Sequence, residues 1–433
     1  MADSPLATIR GRVLAPSPRS RTIEQWPDAL VEVAADGRIA ALREAPPDCT
    51  RPVTWPGAVI LPGLVDAHVH YPQTRILGSA SGPLLPWLER SVFPEEARFA
   101  DPGYAAAVAE EMCEAFIAQG TTLAAIYCSA HPGATEILLE AIERHGLRAV
   151  AGLALMDRSA PPPVLLPAAE ALAACDDLHA RWHGRDDGRI RLSMIPRFAI
   201  SCTPELLRGA GLRSREHELL LQTHISENPD EIEHTLELFP GSRDYLGVYE
   251  DHGCVGPLTV LAHCIHLSED EWSRLRAQDV AVAHCPDSNF FLGSGCMPLR
   301  KALELGLRVG LGTDVGAGRT FSLRRVAAAA YDASLLRGAM VGPEELLWLA
   351  TRGGARALHQ DDRLGCIAPG FDADLVAVDV PARLSGPALL DALLFRHDAG
   401  PVRATMVRGR VLRGEAPTLE PGPTPGPEPS RPA

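Results

Sequence analysis

Two histidines separated by one residue, His68 and His70, end the apolar, β-branched run over residues 59–70. Side chains two residues apart on a strand point to the same side, so these two imidazoles can bind a single metal ion. A lone pair of this kind is more often two ordinary histidines at a strand end. The metal-site interpretation therefore depends on whether later segments supply the missing ligands.

Four later segments that look like strands also end in polar groups. The segments are 219–226, 259–268, 280–289 and 308–316, and the groups at their ends are His224, His263, His284 and Asp314. The carboxyl ends of the strands of a parallel barrel meet at one face. We therefore predict that these side chains converge with the first histidine pair on one metal centre.

The predicted ligands of one Zn²⁺ or Fe²⁺ ion are His68, His70, His224 and Asp314. Nitrogen and oxygen ligands suit such an ion, and an open position would lower the pKa of a bound water. Asp314 could also accept a proton from that water. His263 is expected to orient the resulting hydroxide. His284 either orients Asp314 or is a satisfied core histidine.

The only lysine of the chain, Lys301, bears on the number of metal ions. Two-metal barrels of this type usually bridge their ions with a carboxylated lysine on a strand. Lys301 lies in the run PLRKALELG, which has a helical pattern. One ion is therefore expected.

Four residues near the same strand ends are candidates for contacting a substrate. Glu227 lies three residues after His224, where a carboxylic acid can carry protons to and from a ring, although a glutamate capping the next helix would look the same. Arg197 can donate to a carbonyl oxygen, and Phe198 can stack on an aromatic ring. Gln73 offers both a donor and an acceptor. The last three could equally have loop or packing roles.

Strand-like and helix-like segments alternate through the middle of the chain. Strands are predicted at 57–69, 121–129, 148–156, 189–198, 219–226, 259–268, 280–289 and 308–316, and helices at 104–120, 134–146, 168–182, 230–239 and 270–278. Apolar strands alternating with helices indicate an α/β fold with a parallel sheet, and eight repeats predict a (β/α)₈ TIM-type barrel. An open doubly wound sheet is the alternative, but no Gly-x-Gly-x-x-Gly follows the first strand.

The flanking segments predict a second, smaller domain. Strands at 6–15 and 30–43 and an extended piece at 52–56 precede the barrel, and strands at 372–380 and 404–415 follow it. We expect a discontinuous β-sandwich domain, made of residues 1–58 and 366–415, beside a barrel at 59–365. The Pro-rich end at 416–433 has no apolar periodicity and is predicted to be disordered.

Composition and charge disfavour several classes of protein. The formal net charge is −14, whereas a surface that follows phosphates is basic, so a nucleic-acid partner is not expected. No apolar run approaches the ~20 residues of a membrane span, and the first residues lack the pattern of a secretory signal. The ten cysteines include no Cys-x-x-Cys pair, which is typical of reduced thiols in the cytoplasm.

The chain also resembles a known family. The run PGLVDAHVH at 62–70 is similar to the opening motif of the amidohydrolase superfamily. More narrowly, seven segments resemble the guanine deaminase family: HVHYPQTR, LLPWLERSVFPEEARF (84–99), MIPRFAISC (194–202), QTHISEN (222–228), AHCIHLS (262–268), AHCPDSN (283–289) and GLGTDVGAG (310–318). The family-specific parts are HVHYPQT and WLERSVFPEE, since the histidine and aspartate set alone identifies only the superfamily.

The resemblance implies zinc on the four ligands named above and guanine as the substrate. Purine contacts would come from Gln73, Arg197, Phe198, Glu227 and His263. A metal-activated hydroxide would attack C2 and release xanthine and ammonia, with Glu227 as proton shuttle and Asp314 as general base. The resemblance also implies a homodimer.

Three points stay open at the level of sequence. The apolar segment 77–99 is either a lid that excludes water or a cover over the barrel mouth or an oligomer interface. Another single-metal deaminase or cyclic-amide hydrolase, acting on a different heterocycle, would have the same ligands. A barrel that has lost its chemistry and serves as a binding protein is the alternative from a different class.

Overall fold

The chain folds into a barrel and a smaller sheet, and this computed structural model describes residues 7–396 and 400–417. Its strands are β1 (Ala7–Pro16), β2 (Ile23–Val33), β3 (Ile39–Glu44), β4 (Ala58–Pro62), β5 (Leu64–His70), β6 (Thr121–Tyr127), β7 (Arg148–Gly152), β8 (Ala154–Leu155), β9 (Ile190–Pro196), β10 (Leu220–Ile225), β11 (Thr259–His263), β12 (Ala281–His284), β13 (Arg308–Leu311), β14 (Leu375–Asp379), β15 (Val402–Val407) and β16 (Arg410–Arg413). Its α-helices are α1 (Leu84–Trp87), α2 (Phe93–Glu96), α3 (Pro102–Gln119), α4 (Pro132–His145), α5 (Ala168–Trp182), α6 (Arg185–Gly188), α7 (Pro204–Glu216), α8 (Pro229–Leu238), α9 (Tyr245–Asp251), α10 (Glu269–Ala277), α11 (Pro286–Phe291), α12 (Leu299–Glu304), α13 (Leu323–Leu336), α14 (Pro343–Trp348), α15 (Gly354–Ala357) and α16 (Pro387–Phe395).

The barrel consists of parallel strands in the order β5-β6-β7-β9-β10-β11-β12-β13, with the two-residue β8 paired to β9. Side chains alternate between a small apolar interior and the surrounding helices, so the strands are buried on both faces. All eight predicted barrel strands are present, and the (β/α)₈ prediction is confirmed. The seventh and eighth strands, β12 and β13, are shorter than predicted, because helix α11 begins soon after β12 and a loop follows β13.

The first and last barrel strands meet through backbone and side-chain hydrogen bonds. The Asp314 N–H donates to the carbonyl oxygen of His68 at 2.9 Å. The Thr313 N–H donates to Asp66 Oδ1 at 3.0 Å, and the Thr313 hydroxyl donates to Asp66 Oδ2 at 2.5 Å. Burial raises the pKa of Asp66 to about 6, although these bonds oppose the shift. The closure joins the two segments that carry three of the predicted ligands.

Helices cover the outside of the barrel. The predicted helices correspond to α3, α4, α5, α8 and α10. Helix α10 begins at a capping box between Ser268 and Glu271. Helix α16 was not predicted; its leucines join the core that lies between barrel and helices. Within the described ranges, no helix combines the length and apolarity that crossing a membrane requires.

The strands from both chain ends form one seven-stranded sheet in the order β16-β15-β14-β4-β1-β2-β3. The sheet curls on itself, because Arg38, just before β3, bridges Asp372, just before β14. Its inner face encloses a separate apolar core that includes Ile9, Val31 and Met406. The expected β-sandwich is therefore a single curled sheet. The predicted disordered tail lies outside the described residues from residue 418 onward.

Two sequence predictions at the start of the barrel are wrong. The strand predicted over 57–69 is two strands, because β4 pairs with β1 and β14 of the small sheet and only β5 enters the barrel. The small sheet therefore extends to Pro62, beyond the boundary expected at residue 58. The extended piece at 52–56 is not a strand; it consists of bends and a turn, tied to β1 by a hydrogen bond from the Thr54 N–H to the Arg10 carbonyl at 2.9 Å.

Gly63 alone separates β4 from β5. A Cβ at this position would lie 2.1 Å from Oγ1 of Thr122, so only glycine fits. The Gly63 N–H donates to the carbonyl oxygen of Asp374 at 2.8 Å. The Asp374 carboxylate binds the buried guanidinium of Arg148 at 2.8 Å, and Asp372 binds it at 2.6 Å. These contacts fasten the small sheet to the barrel.

Candidate active site

The polar ends of four barrel segments meet at the carboxyl face of the barrel. Strand β5 contributes His68 and His70, β10 contributes His224, β11 contributes His263, and Asp314 follows β13. We call these five side chains the His/Asp cluster. The structure thus brings together the four predicted ligands and His263.

Local backbone irregularities turn several of these side chains inward. The pairing of β5 with β6 shifts register between Asp66 and Val69, which is a β-bulge that directs His68 and His70 to the interior. Along β11 the alternation would place His263 outside, because Ala262 faces the barrel interior. A left-handed φ of 71° at His263 and of 48° at Asp314 reorients these residues.

The ligand atoms of the cluster lie close together. His68 Nε2 is 3.2 Å and His70 Nε2 is 3.3 Å from Oδ1 of Asp314, and His70 Nε2 is 3.2 Å from His224 Nε2. One ligand atom from each of His68, His224, His263 and Asp314 lies within 4.8 Å of the others. His263 is therefore as near the common point as the predicted ligands are.

The hydrogen bonds of two histidines fix which ring nitrogen is free. His224 Nδ1 lies 2.6 Å from the carbonyl oxygen of Arg197, so Nδ1 carries the proton and donates it. His263 Nδ1 donates in the same way to Oδ1 of Asn289 at 2.9 Å. Both Nε2 atoms then present a lone pair to the cluster, as in metal-binding histidines.

The cluster fits a cation on its own chemistry. The Nε2 atoms of His68 and His263 are buried and have no hydrogen-bond partner among the described residues. A buried polar atom without a partner is costly, and a divalent ion would satisfy both atoms at once. Lys301, by contrast, lies on α12 and pairs with Glu269 at 2.6 Å, so it does not contribute to this site.

Burial favours the neutral forms of His68, His70 and His224. It lowers the pKa of His70 to about 3 and that of His224 well below its usual value. Burial alone would raise the pKa of Asp314, but its close contacts with the His68 and His70 imidazoles outweigh burial and hold this pKa well below the usual range. Neutral imidazoles and an ionised carboxylate are the forms that bind metal ions.

Glu227 lies beside the cluster and not within it. Its Oε2 is 3.5 Å from His263 Nε2, and its Oε1 accepts a hydrogen bond from the hydroxyl of Ser294 at 3.3 Å. Burial, and next the negative charge of Asp314, raise the pKa of Glu227 well above its usual value. The helix cap predicted as the alternative role belongs instead to Asn228 and Glu231. Glu227 is therefore a buried acid able to hold a proton.

A cavity opens beside the His/Asp cluster. Its lining includes the predicted substrate-contact residues Gln73, Arg197, Phe198, Glu227 and His263. It also includes Leu84, Trp87 and Leu88 from the helical segment over 84–100, which lies within the predicted lid. The structure places this segment over the cavity.

His284 matches neither role predicted for it. It is fully buried at the end of β12, and both of its ring nitrogens lack a hydrogen-bond partner among the described residues. It therefore neither orients Asp314 by a hydrogen bond nor is satisfied in the core. Burial lowers its pKa to about 3, so it is neutral.

Sequence reasoning missed three residues of the site. Tyr127 packs its ring edge-on or tilted against His68, His70 and His224, with centroids 4.6–4.8 Å apart. Ser294 holds Glu227, and Glu96 binds Arg197 at 2.5 Å. Only Tyr127 had a usable signal, because it ends a predicted barrel strand as the histidines do.

Comparison with known proteins gives consistent matches. The model of the Amidohydrolase family matches residues 59–412. Guanine deaminase of Escherichia coli strain K12 is 38% identical over 377 residues, covering 84% of this chain and 85% of that protein. Probable guanine deaminase of Deinococcus radiodurans is 43% identical over 324 residues, covering 74% of this chain and 73% of that protein.

Solved structures agree with these sequence matches. The structure of E. coli guanine deaminase superposes with a TM-score of 0.88 at 32% identity, covering 94% of this chain and 99% of that one. Guanine deaminase from C. acetobutylicum with guanine bound in the active site gives 0.86 at 29% identity, with the same coverage of 94% and 99%. An adenosine deaminase from Xanthomonas campestris with bound zinc gives 0.84 at 26% identity, covering 96% and 95%.

Proposed function

Since this chain belongs to the amidohydrolase family, we propose that it hydrolyses guanine to xanthine and ammonia. The observation that carries the proposal is the convergence of His68, His70, His224 and Asp314 beside the buried acid Glu227, in one cavity. The relatives described as guanine deaminases support guanine as the substrate.

The residues at the common point fit one divalent ion, and we propose zinc held by His68, His70, His224 and Asp314. The zinc in the Xanthomonas campestris structure supports this choice, and Fe²⁺ is the alternative because the same nitrogen and oxygen set suits both. Such an ion, when bound, polarises water and makes hydroxide available at neutral pH. His263 would orient the attacking oxygen.

The proton transfers fall to the two acidic residues. Attack on C2 places negative charge on the ring, and Glu227, whose protonated form is favoured by burial, would deliver its proton to N3. Asp314 is ionised and would accept the proton of the attacking water. That proton would then pass to the leaving amino group, so that ammonia departs as a neutral molecule. The proton left on the attacking oxygen would return to Glu227 as the C2 carbonyl of xanthine forms.

The remaining wall of the cavity would orient the base. Arg197 would donate to the C6 oxygen, because a guanidinium is a planar donor that matches a carbonyl. Gln73 would contact another edge of the ring, and Phe198 would cover one of its faces. Leu84, Trp87 and Leu88 line the cavity from the helical cover and would exclude water from the reaction.

The decisive test combines metal analysis of the purified protein with an ammonia assay on guanine, adenine, cytosine and 8-oxoguanine. We expect about one zinc per chain and ammonia release from guanine, with xanthine as the other product. Release from another heterocycle instead would identify a different deaminase. Protein without metal and without ammonia release would indicate a binding protein and refute the proposal.

We further propose a homodimer in the cytoplasm. The ten cysteines are unpaired thiols, as expected in a reducing compartment. Sedimentation of the purified protein tests the dimer, and fractionation of the source cells tests the location. A monomer at micromolar concentration, or recovery outside the cytoplasmic fraction, would contradict the respective statement.

A further inference from the structure

Glu96 is a buried carboxylate that connects two residues of the cavity wall. It lies at the end of α2, is 2% exposed, and does not itself line the cavity. Its Oε2 accepts a hydrogen bond from Arg197 Nη1 at 2.5 Å. Its Oε1 accepts one from Gln73 Nε2 at 3.3 Å. One carboxylate thus holds two of the polar side chains that line the cavity.

The contacts of Arg197 leave defined hydrogens for a ligand. Its Nη1 is committed to Glu96 and to Sδ of Met156 at 3.7 Å. The Nε and Nη2 hydrogens have no partner among the described residues, and the side chain lines the cavity. Because a guanidinium has no acceptor atom, Arg197 presents only donors to the base.

The contacts of Gln73 fix the orientation of its amide. Its Oε1 accepts from the Gly316 N–H at 3.1 Å, and its Nε2 donates to Glu96. A backbone N–H can only donate and a carboxylate can only accept, so the amide cannot flip without losing both bonds. The second hydrogen of Nε2 remains for a ligand.

We propose that Glu96 is a positioning residue that holds Arg197 and Gln73 as hydrogen-bond donors, so that the site selects a purine with an oxygen at C6 over the same purine with an amino group there. The statement rests on the proposed function for the identity of the base. A C6 oxygen can accept hydrogen bonds from Arg197 and Gln73. A C6 amino group would instead meet these two donors with its own N–H groups and leave buried donors unpaired, which strongly disfavours binding of the C6-amino purine.

The neighbouring Glu95 provides a matched control. It is also buried and also on α2, but it binds Arg98 at 3.0 Å and the hydroxyl of Tyr104, and neither of these residues lines the cavity. Glu95→Gln therefore removes a charge from the same helix without touching Arg197 or Gln73. An effect that Glu95→Gln and Glu96→Gln share would therefore come from the loss of charge on α2, and not from the loss of contacts to Arg197 and Gln73.

The test compares guanine with 2,6-diaminopurine, which carries the same amino group at C2 but an amino group at C6. For Glu96→Gln we expect kcat/KM for guanine to fall by about 10- to 100-fold, mainly through KM. The preference for guanine over 2,6-diaminopurine should fall at least about tenfold. Glu95→Gln should keep this preference within about twofold.

Glu96→Asp provides an intermediate case, because it keeps the negative charge but moves the carboxylate away from Arg197 and Gln73. It also replaces Glu96→Gln in the test if that variant does not fold. We expect a preference between those of the wild type and of Glu96→Gln. A folded Glu96→Gln or Glu96→Asp protein that keeps the wild-type preference overturns the inference.

Binding of hypoxanthine and adenine separates this inference from the proposed function, because neither base carries an amino group at C2. Wild-type protein should bind hypoxanthine more tightly than adenine, and Glu96→Gln should lose that difference, as measured by titration calorimetry. If the wild type does not deaminate guanine yet shows this pattern, only the proposed function fails. Equal affinities of the wild type for both bases overturn the inference.

Discussion

The substitution Glu227→Gln tests the chemistry of the site with little change in shape. The two side chains are nearly the same size, and the amide oxygen of glutamine can still accept from the Ser294 hydroxyl, which lies 3.3 Å from Glu227 Oε1. What the amide cannot do is give up and regain a proton. The variant therefore removes the proton-transfer step and leaves the cavity in place.

The expected magnitude follows from the surroundings of Glu227. Burial, and then the charges of Asp314 and Glu231, raise its pKa well above the usual value, which favours its protonated form. A positioned acid of this kind contributes about 10²- to 10⁴-fold to rate. We expect kcat for guanine to fall by that factor while KM changes by less than about fivefold, because the wall residues remain.

The assay is steady-state release of ammonia from guanine, with xanthine followed by absorbance. Glu237→Gln on the following helix, α8, serves as the control, since Glu237 is exposed and forms an ion pair with His234, and it should retain wild-type rates. Loss of the acid should also remove the alkaline limb of the pH profile, where the wild type loses its proton. Full activity of the Glu227→Gln variant would refute the assignment.

Three other perturbations have defined outcomes. Chelation should abolish ammonia release, and returning Zn²⁺ should restore it and raise Tm by binding linkage. Arg148→Met leaves the buried Asp374 carboxylate without its guanidinium partner and removes one of the arginines that bind Asp372. It should cost about 3–5 kcal/mol in urea unfolding, whereas Arg144→Met, in an exposed pair, should cost less than about 1 kcal/mol. His284 has a pKa of about 3 when folded and ~6.5 when unfolded, so its neutral form stabilises the protein above pH ~6.5 and this stability is lost as pH falls toward 3. His284→Leu should therefore reduce the loss between pH 6.5 and 5 by about 2 kcal/mol, and an unchanged acid sensitivity would contradict this account.

The barrel and the centre of its site could be predicted because their signals are local. An apolar strand that ends in histidine or aspartate can be recognised from its own residues, and the carboxyl ends of parallel barrel strands meet at one face. His68, His224 and Asp314 lie far apart in the chain, yet each stands at such an end. Fold topology alone then brings them together.

The rest of the site depends on contacts that leave no local pattern. Glu95 and Glu96 are adjacent glutamates in the same short helix, and only the fold shows that one binds Arg197 while the other binds Arg98. The inward turn of His263 requires a left-handed backbone that its neighbours do not predict. The division at Gly63 was hidden because β4 and β5 are both apolar, so their residues read as one strand.

The junction at Gly63 also limits how this protein can be cut or fused. Strand β4 belongs to the small sheet, and β5 carries His68 and His70. A single residue, Gly63, lies between the two strands. Because no flexible linker separates the two strands, a displacement of β4 in the small sheet also moves β5 and the predicted metal ligands that it carries. Deleting residues 400–417 as if they were an accessory should lower metal affinity, although no residue in that range touches the His/Asp cluster.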